Sequence, residues 1–206
     1  MENDVKDFLS ELLKQLKSID YIKPEDIPNI DLYMDQVTTF MDEQLAASKR
    51  YESDKILTKT MINNYAKNNL LPSPDKKKYS KEHVLTLLFI YYFKNILSIN
   101  DIRSILNPLT EKYFGNDDGF TMQDVYTEVF GLEAEESQKL LKDLGKKYKI
   151  AGETFENFPA EDQKFLHTFS FICMLSFDVY IKKMLIERMI DDLNEEKEAS
   201  KKTGSN

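Results

Sequence analysis

Between Lys59 and Lys67 the chain carries a set of side chains suited to hydrogen-bonding chemistry on a nucleic acid. At about 100° per residue, Thr60, Asn63, Asn64 and Lys67 fall on one side of a helix with Lys59 at its border, while Met61, Ile62, Tyr65 and Ala66 fall on the other. The first set offers amide, hydroxyl and ammonium groups and contains no acid. Asn can bond adenine N6 and N7 together, and Lys and Thr suit guanine or phosphate. Further along, "PSPDKKKYS" places Lys76, Lys77 and Lys78 side by side. Three ammonium groups on a short loop can neutralise a few phosphates and release their counterions. Taken singly, a polar helix face is the default for any surface helix and a lysine run is usually a solvated turn. Together they have the layout of a reading head: a first helix across the backbone, a polar helix in the major groove, and a basic loop on phosphate.

The charge distribution points the same way. The 206-residue chain has a formal net charge of −8, which by itself disfavours polyanions. Residues 49–81, however, hold nine Lys or Arg against three Asp or Glu, between two acidic segments. Such an island asks for an anionic partner.

The elements that must position these groups are helical. Gly and Pro number 6 each, Trp is absent, and 41% of residues are hydrophobic, which favours a packed helical chain over many short strands. A first helix is expected over residues 3–19, with Val5, Phe8, Leu9, Leu12, Leu13 and Leu16 as its apolar stripe. A second begins after Asp31 as N-cap and carries Leu32, Met34, Val37, Phe40, Met41 and Leu45 at helical spacing. Thr58 caps the polar-faced helix, Asn69 can close it in the left-handed conformation, and Pro72 stops it. Ser80 caps a helix through about Leu97; Ser98 with Asp101 opens a short helix ended by Asn107 and Pro108; Thr121 with Asp124 opens another. Helices follow near residues 122–130, 134–147 and 160–194, the last led by Pro159. Its early part is apolar nearly all round, as expected of a core or oligomer interface. Residues 195–206 are expected to be disordered.

In "NNYAKNNLLPSP" Tyr65, Leu70, Leu71 and Pro72 match the end of the recognition helix of MerR-type transcription regulators, with Asn69 where glycine is usual. In "KKKYSKEHV" Lys77 takes the place of that family's wing arginine, ahead of Tyr79 and Ser80, and "LLFIYYFKNILSINDIRSIL" is similar to its following helix pair. Residues 57–106 thus resemble a winged helix-turn-helix. Over residues 30–177 longer phrases are similar to a bacterial family known as a domain of unknown function, DUF1836, a name that supplies no activity. The resemblance implies an all-α protein: an N-terminal helix and connector (1–30), a MerR-like winged helix-turn-helix with a short β-wing (31–108), a C-terminal helical dimerisation or effector domain (120–194), and a tail (195–206). It adds Tyr79 to the candidate DNA-binding set of Lys59, Thr60, Asn63, Asn64, Lys67, Lys76, Lys77 and Lys78. It also implies a homodimer built on residues 165–193.

Other chemistries find no footing in the sequence. His83, His167 and Cys173 cannot make a zinc site, and "GNDDG" lacks the ligand pattern of a calcium loop. No phosphate-cradling glycine loop or nucleophile elbow is present. The expectation is a non-enzymatic, cytoplasmic regulator that binds double-stranded DNA, holds no cofactor or metal and crosses no membrane, with an effector pocket in the C-terminal half as an option. The competing expectation is an adaptor whose winged module binds an acidic protein surface.

Overall fold

In a computed structural model of the chain, the described residues are 22–116 and 119–203 together with Asp7, Ser10, Glu11 and Lys14. Those four are helical and exposed; the apolar stripe expected of the first helix lies outside the described residues. Among the described residues the fold is mostly helical, with seven α-helices and one two-stranded ribbon. It divides into two compact units, Tyr21–Gly131 with Ile186–Asn206, and Met1–Asp20 with Leu132–Leu185.

The larger unit runs β1 (Leu32–Tyr33), α1 (Met34–Gln44), a 3-10 turn (Ala46–Ser48), α2 (Lys59–Lys67), β2 (Lys78–Tyr79), α3 (Lys81–Phe93), α4 (Ile99–Tyr113) and α5 (Met122–Gly131). β1 and β2 pair antiparallel, Leu32 opposite Tyr79 and Tyr33 opposite Lys78. That pairing overturns Asp31 as a helix cap. The chain is still extended at Tyr33, and α1 starts one residue later with Gln36 Oε1 accepting the Tyr33 N–H at 2.8 Å.

At the centre lies α3. Every residue from His83 to Tyr91 is buried, so this helix is apolar on all sides and covered on all sides, as such a composition requires. Leu85, Leu87, Leu88 and Ile90 are fully enclosed. α5 supplies Tyr126 and Phe130, whose rings meet Phe89 at 5.5 and 5.6 Å. The fully buried Tyr126 hydroxyl donates to the Ile22 carbonyl at 2.8 Å. α3 stops at Phe93 rather than Leu97, and the Ile96 and Leu97 N–H groups both turn onto the Phe93 carbonyl.

The Ser98–Asp101 and Thr121–Asp124 caps form as their spacing predicts: Ser98 Oγ accepts the Asp101 N–H at 3.2 Å, and Thr121 Oγ1 the Asp124 N–H at 3.3 Å. Two hydrogen bonds, from the Thr121 hydroxyl and the Thr121 backbone N–H, are worth more to a carboxylate than to the acid and hold Asp124 below its ordinary pKa. Pro108 does not end α4, which continues to Tyr113. A proline inside a helix removes the N–H that the carbonyl four residues back would accept. That carbonyl belongs to Ser104, and Lys197 Nζ takes it at 2.8 Å.

In the smaller unit α6 (Glu133–Gly152) meets the first part of α7 (Ala160–Thr203). Lys147 binds both Asp143 and Asp178, and these carboxylates raise its pKa. Tyr148 sits edge-on to Phe171 at 5.4 Å. The connecting loop carries Phe155 at φ 59. Gln163 Nε2 donates to the carbonyls of Glu156 and Phe158, and His167 Nε2 lies 2.8 Å from that of Thr154. α7 is longer than expected: its charged end stays helical through Thr203, where the composition suggests disorder. Of its early aromatics only Phe171 is buried, while Phe165 and Phe177 are 70% and 65% exposed. The reading of these side chains as ordinary core therefore fails within the chain. No helix among the described residues is long and apolar enough to cross a membrane.

Candidate functional site

The site is built on α2. Thr58 Oγ1 accepts the Met61 N–H at 3.2 Å and starts the helix where the sequence places its cap. Ile62 and Tyr65 point into the core, and burial raises the Tyr65 pKa. The helix ends in a Schellman arrangement: the Leu70 N–H reaches the Tyr65 carbonyl at 2.9 Å and the Asn69 N–H the Ala66 carbonyl at 3.2 Å. Asn69 takes the left-handed turn, φ 56, which asparagine tolerates better than most residues. Leu70 and Leu71 then bury themselves, pinning the lysine loop to the core.

That loop is a hairpin. The Lys78 N–H bonds the Asp75 carbonyl at 2.8 Å, and the two residues between them, Lys76 and Lys77, have φ of 47 and 67. Paired positive φ values mark a type I′ turn, a geometry that Asn-Gly fills easily and β-carbon-bearing lysine does not. Two lysines are thus held at about 1–2 kcal/mol of backbone strain apiece, with both ammonium groups in water.

The outward set on α2 is as the sequence predicts: Lys59, Thr60, Asn63, Asn64 and Lys67 are all exposed. Lys76 and Lys77 are exposed and Lys78 is partly so. Tyr79 is different. It is only 4% exposed, packs edge-on against His83 at 5.5 Å, and burial raises its pKa. As the strand partner of Leu32 its side chain points to the core face, so it supports the hairpin from below. Asn64 is occupied at its oxygen, accepting from Asn68 Nδ2 at 3.0 Å.

α2 and the lysine hairpin meet across the start of α1. Lys59 forms an ion pair with Asp35, and two residues earlier the Tyr33 ring lies under Lys78 Nζ at 5.5 Å. Sequence reading missed Tyr33, Asp35 and Arg50. The exposed Tyr33 is the signal that was available, since β1 alternates and Leu32 turns in. Asp35 carried no signal before its fold partner was known. Arg50, exposed, lies over the Tyr51 ring at 5.2 Å. The long connector between α1 and α2 is tied down at both ends, on α3 and on the residue that caps it: Ser48 Oγ bonds the Tyr91 hydroxyl, and Lys94 Nζ donates to the Ile56 carbonyl at 2.6 Å. Partial burial lowers the Lys94 pKa.

Beneath the hairpin sits His83, the third residue of α3. Its Nδ1 accepts the Ser80 N–H at 3.0 Å, which places the ring proton on Nε2. Nε2 is buried without a hydrogen bond, and Phe114 covers the ring at 4.7 Å. Burial, as the largest cause, lowers its pKa.

Among the described residues no three His, Cys, Asp or Glu gather as metal ligands. A groove of about 620 Å³ lies between α4 and the end of α7, lined by Arg103, Asn107 and Lys197 among others.

A family model described as "Domain of unknown function (DUF1836)" matches residues 22–129. No curated protein and no solved structure matches the chain.

Proposed function

The chain belongs to the DUF1836 family, and on that premise we propose that its larger unit is a winged helix-turn-helix that binds double-stranded DNA and regulates transcription. α2 enters the major groove, Thr60, Asn63, Asn64 and Lys67 meet base edges or phosphate, and the Lys76–Lys77 turn lies on the flanking backbone. The observation that carries this reading is the type I′ lysine turn beside an acid-free helix face. Strained lysines held in water do nothing for the fold and suit a polyanion. As a dimer through the exposed stripe of α7, the protein presents two reading heads to a pseudo-palindromic site. In vitro selection on random duplexes at about 50 mM salt tests the proposal. A recovered motif supports it, and replacement of Lys76, Lys77 and Lys78 by Glu then weakens binding to all duplexes, whereas Asn63→Ala changes the preferred motif. Native protein that retains no duplex ends it.

One observation favours the adaptor reading instead. Lys59 already takes a carboxylate, that of Asp35, so this face accepts acidic groups of protein origin. A partner captured with the native protein and lost in the Lys76, Lys77, Lys78 triple variant, with no selected DNA motif, would establish it.

A further inference from the structure

We infer that Asp35 restrains the proposed nucleic-acid face by holding Lys59 out of its phosphate-binding set, an inference that rests on the DNA reading. Asp35 is the second residue of α1, and its carboxylate pairs with the ammonium group that begins the acid-free face of α2. Lys78 of the lysine hairpin lies over Tyr33, two residues before Asp35 in the chain.

The pair adds little to the fold. Its side chains are 61% and 72% exposed, and ion pairs in water contribute little to stability. Asp35 itself has another means of support, since an acid in the first turn of a helix is favoured by the aligned N–H groups. Its effect falls instead on an incoming polyanion. Phosphate contacts supply nearly all of sequence-independent affinity, one released counterion for each charge neutralised. A phosphate that approaches Lys59 must displace the Asp35 carboxylate and then remain beside it. Lys59 therefore contributes less than a full contact in the native protein, while the exposed Lys67, Lys76 and Lys77 contribute theirs. Asp35 lowers affinity for duplex in general and leaves a larger share of binding to base contacts.

Asp35→Asn tests this. With native protein as reference, binding to a random-sequence duplex is followed by fluorescence anisotropy across a salt series. Asp35→Asn tightens binding by about 3–10-fold near 50 mM salt and steepens the log–log salt slope by up to about 0.9, the rest of one phosphate contact. In a Lys59→Met background the same substitution leaves the slope unchanged, and Glu52→Gln, which removes another exposed acid of the basic segment, leaves it unchanged in the native background. A slope equal to native in Asp35→Asn overturns the inference and leaves the DNA reading standing, as does a gain that persists without Lys59. Native protein that binds no duplex overturns both.

Discussion

Lys77 and His83 show how single residues set against the fold mark the site. Lys77 holds a φ of 67, where glycine is free of the clash that a β-carbon brings. Lys77→Gly should therefore stabilise the protein by about 1 kcal/mol, raising Tm by about 2–4 °C for a chain of this size. If the turn lies on phosphate, the same variant loses duplex affinity and its salt slope flattens by about 0.9. Stability up and affinity down, read by calorimetry and anisotropy on one sample, is the expected pair. His83 gives a pH signature. Its pKa in the folded protein lies below the ordinary 6.5, so as pH falls through 6.5 the unfolded chain takes up the proton first. Stability is full above that pH and declines below it until the folded ring is protonated as well. His83→Gln keeps an acceptor for the Ser80 N–H, as in a Ser-x-x-Gln capping box, and should flatten Tm between about pH 7 and pH 5. Persistence of the native slope in this variant would assign the pH dependence elsewhere.

Helices α4 and α7 are coupled by one lysine. Lys197 satisfies the Ser104 carbonyl that Pro108 leaves without a helical donor. Lys197→Met should speed amide hydrogen exchange over the end of α7, and Pro108→Ala, which restores the N–H, should make Lys197 dispensable to α4. The double variant is then less destabilised than the two single changes added together. The same contact explains an error of sequence reading. Asn107-Pro108 is a sound local stop signal, and the tail after Asn194 is too charged to bury itself. Lys197 reaches the Ser104 carbonyl from 93 residues away in the chain, and Ile190 of the same helix is buried in the core; neither contact can be read from the local sequence. Elements governed by local chemistry were legible: the Thr58, Ser98 and Thr121 caps, the Asn69 left-handed closure, and the polar face of α2. Those set by distant pairing were not, as Asp31 shows, displaced as a cap by the Leu32–Tyr79 ribbon. Tyr79 belongs to the same class. Its neighbours in sequence suggest an exposed tyrosine, and its register against Leu32 buries it.

For the molecule as a whole, the exposed apolar side chains of α7 are the largest unmet demand. Phe165, Ile172, Val179, Ile186 and Leu193 recur every seven residues and all are exposed, the period of a helix that packs lengthwise on another. Monomeric proteins seldom leave so long an apolar stripe in water. Sedimentation should find the native protein as a dimer at micromolar concentration, and Ile172→Glu with Val179→Glu should give monomers that keep the native circular dichroism. A monomeric native protein would remove the two-headed arrangement and leave any DNA binding to a single module.

The burial of α3 has a consequence during synthesis. Its apolar surface is covered in part by Tyr126 and Phe130 of α5, which are made 33 and 37 residues after Phe93 completes α3. At about 5–20 residues per second that interval lasts on the order of 2–8 s. For those seconds the nascent chain displays a helix apolar on every side, and the chain already made ahead of it, acidic over residues 1–48 but basic over 49–81, is too near neutral to keep it from sticking to its neighbours on the same message.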